Sequence, residues 1–293
     1  FNIFLTLKSV KLSKKYFLKT KDLAFSTFAL TLAFILYYEL DLIIIGKIFG
    51  PYEIAIYASA FTLINFLRSL WAIVFSPFQN RINHHIGVAD FKKARNLINY
   101  LVTYSFPLYF VITLSLLIFS DEFILYWVGA DYLSSVIILK SLSIMSFMGF
   151  IVIPANIYMQ AFLKTKYMYL NSIILPVVFY SILFTLYYYN SLEIWLFAYA
   201  KTITILISAC ICLIAIRNLV RFRSILVKWF IPSILITIYF QYAHLITSNS
   251  IFIDPQKNFS ELLIFLVFIS LLVFTTFSFT ILVYKKERKF IIS

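Results

Sequence analysis

YYELDLIIIGKIFG, residues 37–50, closes a long apolar run yet carries two carboxylates, Glu39 and Asp41. The run from 25 to 48 has the length of about 20 apolar residues that a helix needs to cross a bilayer. A charge at the centre of such a helix costs roughly 2.5–3.5 kcal/mol, against roughly 0.3–0.6 gained for each Leu, Ile or Phe. If the segment spans a membrane, its carboxylates must therefore face other helices or a polar cavity and not lipid. Two positions apart on a helix, they point about 200° away from each other. They cannot both face one narrow cavity.

The rest of the chain places this segment in a membrane. Of 293 residues, 62% are hydrophobic and only 13% charged, about half the charged share of an ordinary soluble domain. Mean hydropathy is +0.94. Apolar stretches recur along the chain and are too continuous for the alternating strands of a membrane barrel. The expected fold is an all-α polytopic transmembrane helix bundle of about eight spans, placed at 25–48, 54–78, 97–119, 134–158, 168–189, 193–216, 225–247 and 261–284. Residues 1–22 form a basic segment, 25–216 a six-helix body, and 217–293 two further helices with a basic tail.

The net charge of +13 is explained by where the charges sit. Lys8, Lys11, Lys14, Lys15, Lys19 and Lys21 precede the first span. Arg81, Lys92, Lys93 and Arg95 follow the second, and Lys164 and Lys166 follow the fourth. Arg217, Arg221, Arg223 and Lys228 follow the sixth, and Lys285, Lys286, Arg288 and Lys289 follow the eighth. Thus 20 of the 25 Lys and Arg residues lie on one side. The opposite connections hold Lys257 and a set of acids: Glu53, Asp121, Glu122, Asp131, Glu193, Asp254 and Glu261. This asymmetry predicts that both termini are cytoplasmic. It also assigns the positive charge to topology and anionic lipid headgroups, not to nucleic acid. Tyr126, Trp127 and Trp229 near helix ends read as interfacial belts.

Within the spans, four charged residues and one amide stand out as candidate substrate-translocation residues: Glu39, Asp41, Asn65, Arg68 and Lys201. Asn65 and Arg68, three apart, share a helix face. Counting 1.5 Å per residue, Asp41 lies about 11 Å and Lys201 about 12 Å below the outer helix ends, with Glu39 near 14 Å and Arg68 near 21 Å. Two pairings follow, Asp41 with Lys201 and Glu39 with Arg68. Either holds helices together structurally or lines a polar lumen. Lys47 and Lys140, close to the outer face, snorkel to it. Pro107, Pro154 and Pro176 lie inside helices and Pro77 at the inner end of one, where each tends to kink its helix. The spacing GKIFG allows close helix contact at Gly46 and a turn at Gly50.

Metal and catalytic signals are weak. His84 and His85 adjoin each other in the loop after the second span without a helical partner or a nearby Cys, which reads as solvated residues and not a metal site. Cys210 and Cys212, two apart in an apolar run, favour neither a disulfide nor a shared metal. No HExxH, GxSxG, GxxxxGK[ST] or CxxC occurs. No cofactor and no metal is expected, and no enzymatic activity.

One region resembles a known family. Residues 41–87 carry Asp41 in a helix, an apolar run to Gly46, Gly50 at the outer turn, and Tyr57 with Ala60 opening the next helix. Pro77 closes that helix, and a polar basic loop reaches Gly87. This ordered pattern resembles the Wzx-type polysaccharide biosynthesis flippases of the multidrug/oligosaccharidyl-lipid/polysaccharide exporter superfamily. The resemblance implies two six-helix lobes around a central cavity. With its Phe1 start and no second copy of the pattern, the chain resembles a C-terminal lobe whose N-terminal partner lies elsewhere in the protein. A single lobe would hold half the cavity, so transport is expected of the two-lobe protein.

The implied activity is flipping of an undecaprenyl-diphosphate oligosaccharide across the bacterial inner membrane for O-antigen or capsule synthesis. Arg68 and Lys201 would attract diphosphate or acidic sugars, and Asn65 would bond hydroxyls. Glu39 or Asp41 would balance the cations or carry a coupling ion. The expected partners are the lipid-linked oligosaccharide, membrane lipids, the other lobe and the polysaccharide polymerase machinery. Two rivals differ in chemistry. A drug/cation antiporter of the same superfamily favours an acidic cavity, whereas the interior charges here are two basic and two acidic. A membrane-embedded glycan polymerase needs a large external loop with Arg or His, and the outer connections here are short and hold neither.

Overall fold

A computed structural model describes residues 14–220, together with 225, 229, 232–238 and 241. The expected helices at 225–247, for the most part, and 261–284, with the basic tail, lie outside the described residues. Among those described, all regular structure is helical: α1 Lys14–Tyr38, α2 Leu40–Ile48, α3 Pro51–Gly87, α4 Phe91–Ile118, α5 Ser120–Trp127, a 3₁₀ segment Ala130–Ser135, α6 Val136–Phe147, α7 Gly149–Ala161, α8 Thr165–Tyr188 and α9 Ile194–Ile216. Six segments are long and apolar enough to cross a membrane. They are Lys21–Ile48, Pro51–Gly87, Phe91–Ile118, Ala130–Phe147, Thr165–Tyr188 and Ile194–Ile216. The chain is therefore an all-α polytopic membrane bundle.

Packing runs as a closed set of neighbours. α1 lies along α8, α8 against α9, and α9 against both α6 and α7; α4 and α3 complete the group by packing on α6 and on each other. Lipid supplies no hydrophobic force between helices, so close packing and interhelical hydrogen bonds hold them. Such bonds tie α9 to α8 and to α6. Ser208 donates to Asn171 of α8 at 2.8 Å, and the Thr202 hydroxyl donates to the Ser141 carbonyl of α6 at 2.9 Å. Cys210 is exposed and Cys212 buried, as their opposed directions require.

Three expectations about helix ends are corrected. The span expected at 25–48 is present as Lys21–Ile48, but its ladder is interrupted at Glu39 (φ −108°, ψ −28°), between α1 and α2. The helix expected at 134–158 is divided at Met148 into α6 and α7. Here Gly149 has a weak helix preference, and Pro154 removes a donor further on. Pro77 does not close its helix: α3 runs on to Gly87 and takes His84 and His85 into its last turns. Membrane helices tolerate proline because neighbouring groups re-satisfy the freed carbonyl. Outside the membrane spans, Asp90 caps α4 by accepting from the Lys93 backbone N–H at 3.1 Å. That bond, with the Lys93 ammonium, holds its carboxyl below the usual range. The cap is therefore intact at neutral pH and is lost as pH falls through the lowered value.

The GKIFG turn joins α2 to α3 through two glycines with different tasks. At Gly46 a Cβ would sit 2.4 Å from Ile54 Cδ1, so its missing side chain lets α2 press on α3. Gly50 has φ +94° and ψ −179°, a backbone region almost confined to glycine, and it hands the chain to Pro51 at the first position of α3. Gly50→Ala meets no steric neighbour and should still lower stability by about 1–3 kcal/mol through backbone strain. Thermal unfolding of the purified protein in detergent checks this, and an unchanged midpoint would show that the turn relaxes freely.

Candidate functional site

The break at Glu39 organises the charged residues. Ending α1 in the middle of a membrane frees carbonyls in its last turn, and hydrocarbon offers no water to bond them. Side chains from α8 and α9 take over. The Tyr180 hydroxyl donates to the Leu36 carbonyl at 2.5 Å, and the Lys201 ammonium donates to the Tyr38 carbonyl at 3.2 Å. In the other direction, Tyr37 donates its hydroxyl to the Lys201 carbonyl at 2.6 Å. The end of α1 is thus stitched to α8 and α9.

In the first turn of α2, Asp41 Oδ2 lies 2.7 Å from Lys201 Nζ, and both side chains are fully buried. They are the two charged residues in the buried core among the described residues. Aromatic rings enclose the ammonium: its distance is 4.1 Å to the Phe61 ring centre, 5.5 Å to Tyr38, 5.6 Å to Tyr37 and 5.9 Å to Phe179. Ring faces attract a cation most strongly where water is excluded. The buried Tyr57 lies against the Asp41 side. Neither side chain has solvent exposure, and neither lines the cavity beside Arg68.

The second pair is placed differently. Arg68 of α3 reaches Glu39 at 3.3 Å, with side chains 41% and 52% exposed. The guanidinium also lies 4.2 Å above the Tyr38 ring. Tyr38 therefore stands between the pairs, its ring under Arg68 and its carbonyl bonded to Lys201. Glu39 and Asp41 face opposite sides of the segment, as the helical spacing demands. The two pairings drawn from depth are both formed, but only one is sealed.

Beside Arg68 opens a cavity of about 470 Å³ bounded by α1, α3, α4, α6, α7 and Ile205 of α9. Of the five sequence candidates, Arg68 alone is on its wall. Asn65 is half-buried with an unpartnered Oδ1 and does not join the lining, and Glu39, Asp41 and Lys201 do not either. The wall contains residues that sequence reasoning passed over: Trp71, Ser76 and Gln79 of α3, Tyr109 of α4, and Asn156 and Gln160 of α7. A signal for some of them was present. Asn156 and Gln160 are amides four apart in an apolar helix, and Arg68, Ser76 and Gln79 recur on one face of α3. No group of His, Cys, Asp and Glu capable of holding a metal exists among the described residues.

The buried pair should behave as a structural unit. Lys201→Met strands Asp41 without its partner and should cost about 3–5 kcal/mol, while Lys201→Met with Asp41→Leu should recover most of that loss. Unfolding midpoints of the two variants decide the matter. A double variant no more stable than the single would show that Lys201 acts mainly through the Tyr38 carbonyl. In comparison with known proteins, no family model, no curated protein and no solved structure matches this chain.

Proposed function

We propose that the chain is part of a flippase that carries a lipid-linked oligosaccharide, on an undecaprenyl-diphosphate anchor, across the bacterial inner membrane for polysaccharide synthesis. On this reading it is a Wzx-type transport body with both termini cytoplasmic, working by alternating access and catalysing no chemical step. The observation that carries the reading is Arg68. A guanidinium lies half-exposed on the wall of a roomy cavity within membrane-spanning helices. A headgroup crossing hydrocarbon unaided would lose its hydration, at several kcal/mol for each unpaired polar group. Polar groups on the chamber wall replace part of that hydration, and the guanidinium N–H groups not used by Glu39 can donate to hydroxyl oxygens of a headgroup.

The position of the acids disfavours a drug/cation antiporter. Asp41 and Glu39 are each paired with a base, so neither presents a free negative charge to a cationic cargo. Lys201 is withdrawn from the proposed cargo path, because its ammonium is sealed by aromatic rings. Asn65 lies next to the path and not on it.

Arg68→Ala, introduced into the gene in its native host, should abolish surface glycan while the protein still reaches the membrane in normal amount. Glycan staining and membrane immunoblotting read the two quantities. Normal glycan with Ala at this position would remove Arg68 from the path. Loss of the protein from the membrane would make the Glu39 pair a folding element.

A further inference from the structure

We infer that the cavity beside Arg68 is a subsite for a neutral, hydroxyl-bearing ring, the sugar part of the cargo, and not for its charged anchor. The inference rests on the flippase reading and adds to it which part of the headgroup this chamber holds.

Three polar atoms carry the argument. Trp71 Nε1, the Tyr109 hydroxyl and Asn156 Oδ1 are each buried and lack a protein partner, and all three residues line the cavity. Trp71 is 7% exposed and Tyr109 2%. Leaving such groups unpaired costs about 1–3 kcal/mol each. The set is chemically mixed. The indole N–H can only donate, the amide oxygen can only accept, and the phenol does both. An anion would satisfy the indole and not the amide oxygen. A cation would do the reverse, and an alkyl chain would satisfy neither. A hydroxyl both donates and accepts, so a polyhydroxylated ring answers all three once side-chain rotation turns these buried atoms toward the chamber.

Charge and shape agree with this. The single charged residue on the wall, Arg68, already has Glu39 as its counter-ion at 3.3 Å, so the chamber carries no net demand for an anion. Trp71 and Tyr109 stack with ring centres 4.0 Å apart and planes 18° from parallel, which holds both side chains rigidly at the cavity wall. Amides mark the other end, where Gln79 of α3 donates to Gln160 of α7 at 3.3 Å. From Arg68 to Gln79 the lining face of α3 extends about 16 Å. The volume, about 470 Å³, falls within the roughly 300–1,000 Å³ of small-molecule sites. Gly149 sets the position of the aromatic wall. A Cβ there would lie 2.7 Å from Tyr109 Cε1 and 2.8 Å from its hydroxyl.

The test uses saturation-transfer NMR on the purified chain in a detergent without a sugar headgroup. The probes are methyl glucoside, glucuronate and tetraphenylphosphonium. Methyl glucoside should receive saturation from the protein, and its signal should fall at least threefold in Asn156→Leu and in Trp71→Phe. Each of these variants removes an unpaired polar atom. Asn156→Leu also keeps the volume, so its melting temperature should hold or rise, a direction opposite to that of a structural polar group; Trp71→Phe leaves a small void and is read by binding alone. The proposal is overturned if methyl glucoside receives no saturation, if both variants leave its signal intact, or if glucuronate or tetraphenylphosphonium is favoured over it. Glycoside binding together with surface glycan that never depends on this gene would sustain the subsite and overturn the flippase. Absent glycoside binding with gene-dependent glycan would do the opposite.

Discussion

An ion pair sealed inside a membrane bundle, Lys201 with Asp41 at 2.7 Å, fixes the arrangement on which everything else depends. Its cation does two jobs. It neutralises Asp41, and it bonds the Tyr38 carbonyl that the break in the first span leaves free. The spacing of two residues sends Glu39 to the opposite side from Asp41, and Tyr38, next to the break, stands with its ring beneath Arg68 and its carbonyl bonded to Lys201. A buried ion pair is weak evidence of net stability, because desolvating both charges is costly. Here the cost is offset by aromatic faces around the ammonium and by the carbonyl it caps.

The two pairs illustrate how one chemistry serves different ends. Both consist of a carboxylate and a base at membrane depth. The inner pair is enclosed on all sides by the core, and substitution there should disturb folding. The outer pair is half-exposed, and its guanidinium forms part of a cavity wall. The difference arises from two residues of spacing at the junction of α1 and α2. Polar groups that a soluble protein would place at its surface are here divided between a structural knot and a chamber.

Much of this was legible in the sequence. Depth counting matched Asp41 with Lys201 because both lie about 11–12 Å from the outer ends, and a short carboxylate must meet its partner at the same level. It also paired Glu39 with Arg68 despite a difference of about 7 Å in nominal depth, which a long guanidinium side chain can span. Helix boundaries were less legible where tertiary contacts set them. Nothing local marks Glu39 as a break, since the groups that satisfy the freed carbonyls, Tyr180 and Lys201, come from helices more than a hundred residues away. Pro77 misled in the other direction, because a proline signal holds for water-exposed helices and is muted in a packed membrane bundle. The rest of the cavity wall was missed because, Arg68 apart, its polar residues are uncharged. Hydropathy reasoning weighs a lone Arg heavily and an Asn, Gln or Trp hardly at all.

The central claim is that Arg68 borders an open chamber while Asp41 lies in a closed one. Single cysteines at these positions, in a background of Cys210→Ser and Cys212→Ser, can be challenged with a water-soluble, membrane-impermeant thiol reagent in intact membrane vesicles. Arg68→Cys should react rapidly from at least one side of the membrane, and Asp41→Cys should stay unmodified until the protein is unfolded. Equal protection of both positions would mean that no aqueous chamber exists at Arg68. Rapid reaction at Asp41→Cys would mean that the inner pair is not sealed.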